Sequence, residues 1–127
     1  MPKKILVIDD EKSVRDSFIL ALQKAGYEVD AFEDGNTGLE SFISGDYDLV
    51  YLDLKMPGVN GAWVLKEIRK HDTDVPVYIV SAFYEDFAEE LKNIKGKHLD
   101  FEILIKPLER EQIIKITRNI LDGPGLL

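Results

Sequence analysis

The 127-residue chain contains no cysteine. Disulfides, thiolate nucleophiles and cysteine-ligated zinc are therefore closed to it, and a reducing, cytoplasmic setting is the compatible one. No apolar run approaches the roughly 18 residues needed to cross a bilayer, and the chain does not open on a signal-peptide pattern. Positive charge is in deficit: 16 lysines and arginines stand against 24 aspartates and glutamates, a formal net charge of −8. Such an acidic balance argues against nucleic-acid phosphates as the main partner and favours a monomer or a partner with a basic surface. Repeats, low-complexity tracts and a glycine-rich phosphate loop are also missing. The two histidines, His71 in "RKHDTD" and His98 in "GKHLD", sit in polar surroundings and are expected at the surface. The single tryptophan, Trp63, stands beside Val64 and Leu65 and is expected to serve packing rather than ligand contact.

What is present suits one soluble domain. A chain of this length hides roughly two-thirds of the surface that it exposes when unfolded, and its 45% hydrophobic and 31% charged fractions are ordinary for a globular protein. Short apolar runs recur at Ile5–Ile8, Val29–Phe32, Leu49–Leu52, Val77–Val80 and Ile103–Ile105. Bounded by polar, proline or glycine residues, they read as buried strands. Between them apolar residues return at helical spacing: Val14, Phe18, Ala21 and Leu22; Leu39, Phe42 and Ile43; Val64, Leu65 and Ile68; Phe87, Leu91 and Ile94; and Ile113, Ile116, Ile120 and Leu121. Gly26 and Gly45 fall where helices would end. Five strand–helix units in succession predict an α/β domain, a parallel sheet covered by helices on both faces.

In such sheets the chemistry lies beyond the carboxyl ends of the strands. Four of those ends carry polar groups here: Asp9 and Asp10, Asp53, Ser81, and Lys106. Three carboxylates at one place repel one another unless a cation neutralises them. Their hard oxygens suit Mg²⁺, and Lys106 is a second counter-charge. The plainer alternative makes Asp9 and Asp10 acidic caps of the next helix, Ser81 a turn residue and Lys106 a surface lysine with a buried stem. After Asp53, "MPG" forces a turn that would hold the acid at the strand tip.

Taken together and in order, "VIDDE", "LDLKMPGVNG", "VSA" and "IKPL" resemble the receiver domain of two-component response regulators, from Lys4 to about Leu121. The resemblance implies a single doubly wound (βα)5 domain over residues 1–121, flavodoxin-like, with strand order 2-1-3-4-5, followed by a short tail at 122–127. It implies that Asp53 accepts a phosphoryl group from a histidine kinase or a histidine phosphotransfer protein. Mg²⁺, with Mn²⁺ as a substitute, would be held by Asp10, Asp53 and the main-chain carbonyl of Lys55, and by Asp9 through water. Ser81 and Lys106 would contact phosphoryl oxygens, and the Lys106–Pro107 bond would be cis. Lys55 and Phe83 would tune the lifetime of the phosphorylated state. Such a protein catalyses its own phosphorylation and dephosphorylation rather than turning over an external substrate. It would signal by altering the surface of the fourth helix, fifth strand and fifth helix toward a downstream protein, a fused output domain or a second copy, without binding nucleic acid or membrane itself.

Two features depart from the family pattern. Ile103 stands where an aromatic switch residue is usual, with Phe101 two residues earlier on the same face, and the Ser81-to-Lys106 interval is a few residues long. A degenerate receiver that acts only as an interaction module is therefore the main alternative. A phosphohydrolase with an aspartyl nucleophile would need an acid two residues after Asp53, where Lys55 stands. A flavin carrier would need its phosphate beside "DDEK", which would repel it.

Overall fold

The computed structural model describes residues 2–82, 85, 88, 92 and 100–123. Its elements run β1 (Lys4–Ile8), α1 (Lys12–Lys24), β2 (Glu28–Phe32), α2 (Gly35–Ser44), β3 (Leu49–Asp53), α3 (Gly61–His71), β4 (Val77–Ser81), β5 (Glu102–Ile105) and α4 (Arg110–Leu121). The predicted helix around Phe87, Leu91 and Ile94 lies outside the described residues, so α4 is the fifth helix of the sequence reading. All strand pairs are parallel, in the order β2-β1-β3-β4-β5.

Each strand is longer than its apolar run by one polar residue: Lys4, Glu28, Asp53, Ser81 and Glu102. The ladder needs only main-chain groups, so it continues past the last hydrophobic side chain. At β3 and β4 this extra residue is a predicted site residue.

The central strands are buried on both faces, and Ile5–Ile8 and Leu49–Leu52 are at most 1% exposed. Strand alternation divides their side chains between two cores. Leu6, Ile8, Val50, Leu52 and Ile79 meet Leu39 and Phe42 of α2 and Val64, Leu65 and Ile68 of α3. Ile5, Val7, Leu49, Tyr51 and Val80 meet Phe18, Ala21 and Leu22 of α1 and Ile113 of α4. Each fully buried aliphatic side chain is worth about 1.5–3 kcal/mol. A buried hydroxyl pair, Tyr51 to Thr117 at 2.7 Å, ties α4 to the central strand.

Helix entries follow capping chemistry. Asp34 Oδ1 accepts from Thr37 N–H at 2.8 Å, and Asn60 Oδ1 accepts from Trp63 N–H at 2.9 Å. Trp63 is 39% exposed on the first turn of α3. Its neighbours Ala62, Val64 and Leu65 take the inward positions, and Trp63 falls on the other side of the helix. Ile43, counted with the inward stripe of α2, is also exposed. His71 is exposed as expected, and His98 lies outside the described residues.

Candidate functional site

Parallel register brings the polar strand ends together. Ile8 pairs with Leu52 and Asp53 with Val80, so the residue following β1 stands beside the last residue of β3. Ser81 pairs with Ile105, and the next amide, Lys106 N–H, donates to the Ser81 carbonyl at 3.2 Å. The expected set therefore lies along one edge.

The loop after β1 is held by three contacts to Asp9. Its N–H donates to the Phe32 carbonyl at 3.0 Å. Its carboxylate Oδ1 accepts from Glu11 N–H at 2.9 Å, and its carbonyl accepts from Arg15 Nη1 at 2.8 Å. Neither Asp9 nor Asp10 is the cap of α1; that position is Glu11. One carboxylate oxygen each of Asp9, Asp10 and Asp53 lie within 4.8 Å of one another, with Asp9 and Asp53 buried and Asp10 exposed. Lys106 Nζ reaches over them, 2.9 Å from Asp9 Oδ2, 3.3 Å from Glu11 Oε1 and 3.5 Å from Asp53 Oδ1. It is not a surface lysine, since only 12% of its side chain is exposed.

The electrostatics show which partner is short of charge. Burial, then the negative charge of Asp9, pushes the Asp53 carboxyl well above the usual carboxylate range; Lys106 opposes this, and Asp10 adds to it. Burial also raises Asp9, against the Glu11 amide and Lys106. Burial alone would lower Lys106, but its bond to Asp9 and the charges of Asp53 and Asp9 hold it above its ordinary value. Acid and base of one ion pair thus move the same way. One ammonium answers several acids, so each acid receives only part of a counter-charge. Three hard oxygen donors with surplus negative charge fit a small divalent cation such as Mg²⁺.

The turn after β3 sets how Asp53 is presented. Gly58 has φ +81°, in the left-handed region that glycine enters freely. Gly61 lets the first turn of α3 press on the end of β3: its N–H donates to the Leu54 carbonyl at 2.9 Å. A Cβ there would overlap the Asp53 carbonyl oxygen and lie 2.8 Å from Leu54 Cα. Gly61, Glu11 and Arg15 are site-supporting residues that sequence reasoning did not assign. Gly61 ends the quoted "MPGVNG", which was the available signal. Nothing in the spacing of Arg15 announces its contact.

Residues 5–118 match the family model for the response regulator receiver domain. The chain belongs to this family. The receiver is 32% identical to the response regulator ArlR of Staphylococcus saprophyticus over 93% of this chain and 52% of that protein. It spans about half the length of that relative and of the DltR regulator of Streptococcus agalactiae, which is 33% identical. Among solved structures it is similar to the response regulator TrrA of Thermotoga maritima in complex with Mg²⁺–BeF. The identity is 35%, with 94% of this chain and 99% of that one covered, and the TM-score is 0.78. A CheY-like receiver domain protein of Methanospirillum hungatei shares the fold with a TM-score of 0.84, at 22% identity and 97% coverage of both chains.

Of the predicted residues, the receiver brings Asp9, Asp10, Asp53 and Lys106 together. Ser81 is buried at the neighbouring strand tip, and Lys55 is exposed two residues beyond Asp53. The Lys106–Pro107 bond is cis, as the resemblance implies. Phe101 is buried and Ile103 half-buried against the same core, consistent with their common face. Phe83 lies outside the described residues.

Proposed function

We propose that this receiver domain takes a phosphoryl group onto Asp53 from a phosphohistidine donor, a histidine kinase or a phosphotransfer protein, and signals by a change of surface. The observation that carries the reading is the cluster of three carboxylates within 4.8 Å, bridged at one side by the Lys106 ammonium. Asp10, Asp53 and the main-chain carbonyl of Lys55 would hold Mg²⁺, or Mn²⁺ in its place, with Asp9 acting through water. The ion supplies charge neutralisation for the approach of a phosphoryl dianion to carboxylates.

The chain's own residues do the rest. An Asp53 oxygen attacks phosphorus as the donor's P–N bond breaks and its electron pair returns to the imidazole; an acyl phosphate results. Lys106 balances charge on the transferred group, and the Ser81 hydroxyl donates to one of its oxygens. Water later attacks the acyl phosphate, with Lys55 and Phe83 setting its access. Movement of Ser81 toward the new charge would shift the surface of the fourth predicted helix, β5 and α4. Because Phe101 is a core side chain, we assign any accompanying side-chain switch to Ile103. The receiver unit is taken as residues 1–121, acting in the cytoplasm, with 122–127 as tail or linker to an output domain.

The test is intact mass after incubation with a small phosphodonor, with and without Mg²⁺, on the wild type and Asp53→Asn. One added phosphoryl group that requires both Mg²⁺ and Asp53 is expected. A wild type left unmodified by that donor and by a phosphorylated histidine protein would leave the interaction-module reading in its place.

A further inference from the structure

Glu11 occupies the N-cap of α1 but makes no side-chain cap hydrogen bond. The caps of α2 and α3, Asp34 and Asn60, both accept from the amide three residues on. Aspartate and asparagine are preferred caps and glutamate is not, so the Glu11 carboxylate is not committed to its own helix. It turns to Lys106 instead: Glu11 Oε1 lies 3.3 Å from the ammonium, and Arg15 Nη1 on the Asp9 carbonyl braces the loop between them. The three acids on Lys106 are graded. Asp9 is nearest at 2.9 Å, Glu11 follows, and Asp53 is farthest at 3.5 Å. Asp9 is braced by the Glu11 amide as well. The side chain of Glu11 is 58% exposed, so its hold on Lys106 is the weakest-anchored of the three.

We infer that Glu11 is a positioning residue that draws the Lys106 ammonium toward α1, off Asp53, and releases it when charge arrives at Asp53. The consequence for the resting receiver is that the Asp53 and Asp10 oxygens stay available to a divalent cation rather than being closed by the lysine. The consequence for the charged receiver rests on the reading of Asp53 as phosphoryl acceptor: Glu11 opposes the move of Lys106 onto the phosphoryl group and so slows uptake.

A double-mutant cycle on Mg²⁺ affinity, read by titration calorimetry, tests the first consequence without any phosphoryl transfer. The proteins are the wild type, Glu11→Gln, Lys106→Met and the double variant, each first shown folded by circular dichroism. Glu11→Gln is expected to weaken Mg²⁺ about five-fold when Lys106 is present but only about two-fold in Lys106→Met, where just its own charge is lost. Glu11→Asp keeps the charge but lacks the reach, and is expected to weaken Mg²⁺ about three-fold. Equal effects of Glu11→Gln in both backgrounds, with Glu11→Asp binding as wild type, would overturn the inference and leave Glu11 a surface charge. At saturating Mg²⁺, Glu11→Gln and Glu11→Asp should take up the phosphoryl group about three-fold faster; unchanged rates would overturn the second consequence. Coupling in the cycle together with a wild type that takes up no phosphoryl group would uphold the positioning role and remove the phosphoryl reading instead.

Discussion

At the carboxyl edge of the sheet three acids divide one ammonium among them, while at the amino edge a single buried guanidinium has four hydrogen bonds to itself. Arg69, near the end of α3, donates from Nε and Nη2 to the Asp100 carbonyl at 3.2 and 2.6 Å, and from Nη1 to the carbonyls of Asp72 and Val75 at 3.2 and 2.7 Å. It is 6% exposed, nearly as buried as Asp9 and Asp53. Burial lowers its pKa, the nearby charges of Asp72, Asp100 and Asp74 oppose this, and its hydrogen-bond acceptors are main-chain oxygens held by the fold. At the other edge Asp9 and Asp53 are buried too and lack enough counter-charge. Buried charge that is satisfied locally holds a structure together. Buried charge left over marks where something else must bind.

The largest effect should come from breaking the satisfied edge. Arg69→Ala removes the partner of three carbonyls and is expected to cost about 3 kcal/mol in denaturant unfolding. A loss below about 1 kcal/mol would mean that water takes over these bonds and that the edge is not a lock.

The unsatisfied edge should respond in the opposite sense. Asp53→Asn takes away one surplus charge, and the metal-free variant is expected to be more stable than the wild type by about 1–2 kcal/mol. Mg²⁺ at a hundred times its dissociation constant should add about 2.7 kcal/mol to the wild type and far less to the variant. Unfolding curves with and without Mg²⁺ measure both, and a metal-free variant less stable than the wild type would contradict the surplus.

The smallest effect concerns pH at the amino edge. Tyr27 and Tyr47 lie just before β2 and β3, with their hydroxyls on Asp122 at 2.5 Å and Asp30 at 2.7 Å. Burial, with these acids, pushes both up to about 12. Below about pH 10, the tyrosine value in an unfolded chain, both states keep their protons and the stability is complete. Between about 10 and 12 the unfolded chain ionises first, so stability falls as pH rises, by about 1 kcal/mol for each tyrosine. Thermal unfolding from pH 9 to 12 measures this, and Tyr27→Phe should remove its own share of a fall to which Tyr51 and Tyr78, also raised, contribute.

The strand runs, the helical stripes of α1, α3 and α4 and the order of polar strand ends were legible because each rests on local periodicity or on the step between neighbouring strands. Asp9, Asp53 and Lys106 meet because residues one past Ile8, one past Leu52 and one past Ile105 share an edge once the strands lie parallel in register. The exposure of Trp63 between buried Ala62 and Val64 was not legible, because neighbouring apolar residues on a helix need not share a face. Gly61 was quoted within its motif but had no assigned role, since only the approach of α3 to the Asp53 carbonyl reveals one.

By itself the sequence determined the α/β class, the acidic edge and the residue types that stand on it, since burial pattern and charge are properties of the chain. Only the tertiary structure decided how the charge is shared. Whether a lysine answers one acid or three, and whether an arginine is a surface charge or a buried lock, depends on distances across elements far apart in the chain. Lys106 reaches Glu11 across 95 positions and Arg69 reaches Asp100 across 31. No local pattern encodes such contacts, because electrostatic energy depends on separation in space and on the solvent that burial removes.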